Sequence, residues 1–134
     1  MASAIHSHLA WRDPSASSGE VFRLGQDVAY REGGNRLRIM ASSTPDKAYR
    51  QAFLEAVDVV AQAWGTRIEI VLDFSKSVPS GPGQAVRLCR ELHASGHVDR
   101  IVVLQHPGVP AWLLSSVSRI LRSAGLPVEV EEAT

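Results

Sequence analysis

Two stretches of the chain hold the residue types with which a small protein could do chemistry. Asp73, Ser75, Lys76, Ser77 and Ser80 follow one apolar run, and Gln105, His106 and Pro107 follow another. A histidine beside a serine hydroxyl, oriented by an aspartate, is the minimum hardware for acyl transfer. His106 would be the base, Asp73 would hold its ring, and a serine would attack. No Gly-x-Ser-x-Gly elbow surrounds any of these serines. Asp73 at a strand end also has a simpler task, accepting hydrogen bonds from the backbone of the loop that follows. The expectation is therefore a protein that is not an enzyme, with a serine/histidine hydrolase as the least favoured alternative.

Other constellations are weaker. Gly81-Pro82-Gly83 at a helix start, with Lys76 upstream, has the free N–H groups and dipole that favour an anion. Pro82 removes one donor, however, and the spacing fits neither a Walker loop nor Gly-x-Gly-x-x-Gly, so a plain turn into a helix is favoured. Cys89, His93 and His97 step by four, but Gly96 intervenes before His97 and Cys89 lies on an apolar stripe with Leu88 and Leu92. His6 and His8 stand in a polar terminal stretch. No metal or cofactor is expected. Arg31, Arg36 and Arg38 are expected to form a solvated basic face rather than an anion site. Trp112, just after Pro110 and one step off an apolar helical stripe, either meets a partner or covers the end of the sheet.

The elements that must position these residues follow from periodicity. Residues 1–19, rich in Ala, Ser and His, show no sustained period and are expected to be a flexible arm, with Trp11 docking on the domain or on a partner. Residues 20–134 are expected to form one domain. Val21-Phe22-Arg23-Leu24, Val28-Ala29-Tyr30-Arg31 and the alternation around Leu37 and Ile39 flank Gly33-Gly34-Asn35, a hairpin signal. Thr44-Pro45-Asp46 opens a helix, with Thr44 as cap, whose stripe is Tyr49, Ala52, Phe53, Ala56, Val60, Ala63 and Trp64. Gly65 closes it. Ile68–Phe74 and Ile101–Leu104 read as buried strands, Ala85–Leu92 and Leu113–Ala124 as helices, and Pro127–Val130 as a last strand. The fold class is α/β: a single mixed sheet with an antiparallel N-terminal hairpin and parallel C-terminal strands, packed by three helices.

Composition bounds the function. The 134 residues are 45% hydrophobic and 21% charged, an ordinary globular balance. A formal net charge of +0 removes the global argument for nucleic acid or an anionic membrane. One cysteine permits no intramolecular disulfide, and no long apolar run or leader pattern is visible, so the cytoplasm is the expected location and no membrane span is expected.

The element order, the strand Ile70-Val71-Leu72-Asp73-Phe74-Ser75 running through a loop into a helix, and the later Arg100-Ile101-Val102-Val103-Leu104 strand resemble the STAS superfamily. That superfamily holds the bacterial SpoIIAA-like domains and the sporulation anti-sigma-factor antagonists. The resemblance covers roughly residues 20–130. In the signalling branch the strand ends Asp-Leu-Ser and leads to Asp-Ser-Ser-Gly, where a serine is phosphorylated. Asp73-Phe74-Ser75 matches the first part. A gapless overlay places Gly81-Pro82-Gly83-Gln84 over the second, whereas a shorter loop places Ser80-Gly81 over Ser-Gly, with Pro79 where the acidic residue would stand. The resemblance thus implies Ser80 as the phosphorylation candidate.

It also implies a regulatory, signalling or protein-binding module in a bacterial cytoplasm. Its recognition residues would be Ser75, Lys76, Ser77, Val78, Ser80, Gly81, Gln105, His106 and Trp112, meeting a protein partner or a second copy. The alternative expectation is a carrier of a small or lipid-like apolar ligand, lined by Phe53, Trp64 and Phe74.

Overall fold

The computed structural model describes residues 9–41, 45–75, 82–107, 110–123, 125 and 128–132. The strands are β1 (Leu9–Trp11), β2 (Gly19–Leu24), β3 (Asp27–Arg31), β4 (Arg36–Met40), β5 (Ile68–Asp73), β6 (Val98–Gln105) and β7 (Val128–Glu132). The helices are α1 (Lys47–Trp64), α2 (Pro82–Ala94) and α3 (Ala111–Ser123). Among the described residues the strands form one mixed sheet in the order β1-β2-β3-β4-β5-β6-β7. Pairing is antiparallel from β1 to β4 and parallel from β4 to β7.

A strand order that never reverses has a consequence for the helices. Right-handed crossovers that all step the same way across a sheet must all return over the same face. Accordingly Phe53 of α1, Leu88 of α2 and Leu121 of α3 share one core with Leu37, Ile70, Ile101 and Val128. Val71, Val102 and Leu104 point the other way and form a separate buried cluster. On that second face Arg38, Val71, Val102 and Glu129 stand abreast in register, so charged side chains flank the two valines on both sides.

The arginines of this face are not a free basic patch. Arg36 pairs with Glu32 at 3.0 Å, Glu131 at 3.0 Å and Glu69 at 3.6 Å. Arg100 reaches Glu129 at 2.9 Å and Glu69 at 2.5 Å. Arg31, in register with Leu37, lies on the opposite, helix-packed face, over the Trp64 ring at 4.0 Å from its centroid, and donates from Nε to the Gly34 carbonyl. Opposite charges spaced one strand apart on one face neutralise each other, which corrects the expectation of a solvated basic surface.

The N-terminal arm also needs correction from Leu9 onward. Leu9–Trp11 pair with β2, and the Trp11 ring lies 5.4 Å from Phe22. Trp64 Nε1 donates to the Pro14 carbonyl at 2.6 Å, and Arg31 Nη1 donates to the Ala16 carbonyl at 2.9 Å. Trp11 is the reason: an aromatic beside Phe22 gives a three-residue strand enough apolar area to dock. His6 and His8 lie outside the described residues.

The cap of α1 is Asp46, whose carboxylate accepts the Tyr49 N–H at 2.9 Å. Thr44, the expected cap, lies outside the described residues. Gly65 ends the helix in the left-handed region at φ 68°, its N–H returned to the Ala61 carbonyl. The buried stripe holds Ala52, Phe53, Ala56 and Val60 as expected, but Val57 and Ala61 join it while Ala63 is exposed. Arg50 lies on it as well, only 6% exposed.

Candidate functional site

The parallel strands β4, β5 and β6 all end at one edge of the sheet, the edge where loops of open α/β sheets bind ligands. Asp73 closes β5 there with its carboxylate fully buried. Being ionised, it is an acceptor only, and three donors from three segments meet it. Arg38 of β4 donates from Nε at 2.8 Å and from Nη2, both to Oδ2. The Ser75 N–H donates to Oδ1 at 2.9 Å, and His106 Nε2 stands 2.7 Å from the same oxygen. Because a carboxylate can only accept, His106 Nε2 carries a proton and is the donor in this contact.

Burial alone would push the Asp73 carboxyl up. The Ser75 backbone N–H and the Arg38 guanidinium outweigh it and hold the group below the usual carboxylate range. Arg38 is tied in turn to Glu32 at 3.2 Å. The expected loop-anchoring role of Asp73 is thus visible at Ser75, and Asp73 also joins both segments assigned to recognition.

Behind this edge a buried cation fixes the start of α2. Arg50 donates to Glu91 Oε1 at 2.7 Å, to Gln84 Oε1 at 2.5 Å and to the Pro45 carbonyl at 2.9 Å. Gln84 is in the first turn of α2, so α1 holds the helix into which the serine-bearing loop runs. Tyr49 adds a second anchor, donating its hydroxyl to buried Asp27 at 2.5 Å. Burial and the Asp27 charge push the phenol pKa well up.

Ser75 is exposed, and Gln105 and His106 are half-buried at the end of β6. Trp112, in the first turn of α3, is 70% exposed. Of its two expected roles, covering the end of the sheet would require far more burial. Lys76, Ser77, Val78, Ser80 and Gly81 lie outside the described residues, and the expectations for them, phosphorylation of Ser80 included, fall there too.

Arg38 and Arg50 were missed as positioning residues. Arg38 alternates with Leu37 and Ile39, which announces only that it faces the other way, and Asp73 is far off in sequence. Arg50 did carry a signal: it precedes Phe53 by three positions and Val57 by seven, the spacing of the buried stripe.

The remaining candidates separate in space. Cys89 is fully buried, and burial pushes its thiol up to about 12. His97 Nε2 instead pairs with Asp58 at 3.1 Å. Among the described residues no group of three or more metal-ligating side chains converges. Phe53 packs between Phe22 and Tyr49, with ring centroids 6.1 Å from each, and Phe74 is buried in the same core. Among the described residues, no helix is long and apolar enough to cross a membrane.

No family model matches the chain, and searches of curated proteins and of solved structures return no match.

Proposed function

We propose that the protein is a non-catalytic binding module of the STAS, SpoIIAA-like type, docking a protein partner at the carboxyl edge of its parallel strands. The observation that carries this reading is Trp112: a large aromatic, 70% exposed, on the connection that leaves β6 through His106. Exposed aromatics supply large contact area at low entropic cost and recur as anchors of protein interfaces. The polar residues beside it suit orientation rather than turnover. Asp73 spends its acceptor capacity on Arg38, Ser75 and His106, which makes it a clamp between two loops. The STAS assignment rests on the element order and the Leu72-Asp73-Phe74-Ser75 strand end.

The test is affinity capture from the source cell with wild type and Trp112→Ala side by side, followed by binding measurements on the protein captured. The substitution should weaken that partner by roughly tenfold or more while changing folding stability by less than about 0.5 kcal/mol. Three results would overturn the reading: no partner sensitive to Trp112, a small apolar molecule retained in native mass spectrometry in place of a protein, or ester hydrolysis abolished by His106→Ala.

A further inference from the structure

The far side of the sheet carries a second surface, independent of the carboxyl edge. Among the described residues, β7 pairs with β6 on one side and ends the sheet on the other. An edge strand presents backbone N–H and C=O groups that another chain can pair. At its start this edge is closed, because Arg122 Nε donates to the Val128 carbonyl at 3.1 Å. Beyond Val128 the side chains alternate in a way that specifies a partner. Glu129 and Glu131 lie on the face without helices, paired with Arg100 and Arg36 yet with side chains 59% and 46% exposed. Each carboxylate retains lone pairs for a further donor. Val130 points to the helix face and is 39% exposed, and Ile120 of α3, the helix that packs on β7, is 40% exposed.

A second copy of this chain is a poor occupant. Any antiparallel pairing of two β7 strands that keeps both helix layers on the same side sets Glu opposite Glu on the other face, and like charges directly opposite are destabilising. The same carboxylates favour cations in those positions.

We propose that β7 accepts an extended segment of another protein as an eighth strand. That segment has Lys or Arg at alternate positions beside Glu129 and Glu131, and β-branched or aromatic residues between them against Val130 and Ile120. Main-chain pairing supplies affinity and the alternation supplies selectivity.

The test is a titration of the ¹⁵N-labelled full chain with a capped peptide alternating Lys and Val. A peptide alternating Glu and Val, and a Lys-then-Val block peptide of the same composition, serve as controls. The alternating Lys peptide should give saturable amide shifts centred on residues 128–132 and slow hydrogen exchange there. Its dissociation constant should rise as salt goes from about 0.05 M to about 0.3 M. The pair Glu129→Lys, Glu131→Lys should weaken binding by roughly fivefold or more. The milder pair Glu129→Gln, Glu131→Gln, which keeps side-chain hydrogen bonding to Arg100 and Arg36, should weaken it by about threefold. The proposal is overturned by the absence of saturable shifts at millimolar peptide, by equal binding of either control, by indifference to both pairs of substitutions, or by shifts at Ser75, His106 and Trp112 instead. Concentration-dependent shifts of β7 without peptide would identify a second copy as the occupant and overturn it as well. Trp112→Ala should leave this titration unchanged, so the two docking surfaces fail or stand separately.

Discussion

Asp73 is the residue on which the carboxyl edge depends, and its chemistry sets a pH dependence. Its carboxyl is held below the usual range in the folded protein, with burial opposed by the Ser75 N–H and the Arg38 guanidinium. A group with a lowered folded value contributes stability at pH above the ordinary carboxylate range. That contribution is lost as pH falls through the folded value. Asp73→Asn should therefore flatten the acid limb of the stability curve. At neutral pH it should cost about 2 kcal/mol, less than for a fully enclosed ion pair because Arg38 is partly solvated. Urea unfolding at a series of pH values checks both. A variant with the wild-type acid slope would show that other carboxylates carry it. The clustering of Asp73 and His106 was legible because both follow apolar strand runs that had to lie side by side. The Arg38 clamp was not, since nothing local in a strand names a partner on the next one.

The elements divide by how much periodicity each can display. α1 spans 18 residues and shows its buried stripe plainly, and β5 and β6 announce themselves as apolar runs too continuous for a one-sided strand. β1 has three residues, too short for alternation to separate from chance in a Ser- and His-rich context. Its stability comes from Trp11 on Phe22 and from Trp64 and Arg31 reaching back to Pro14 and Ala16, contacts with no local signature. A chain beginning at Gly19 should accordingly lose roughly 2 kcal/mol, seen as a fall in melting temperature of about 5 °C or more. A loose arm would leave the melting temperature unchanged.

At the scale of the molecule, one face of the sheet is packed by helices and the other is held by alternating charge. Arg36 joins that lattice through carboxylates contributed by the loop before β4, by β5 and by β7. Arg36→Ala should cost about 1 kcal/mol at low ionic strength, and the difference from wild type should shrink in about 1 M salt, because partly exposed pairs are screened. A salt-independent loss would mean that the arginine stem, rather than its charge, supports the face. The unreversed strand order has a further bearing, on how the chain is made. Among the described residues, each strand after the first lies beside the one that precedes it in sequence, and none has to be inserted between two already in place. A chain leaving the ribosome from its N-terminus can therefore lay down its sheet in the order of translation, each new strand closing only the short loop or single helix behind it.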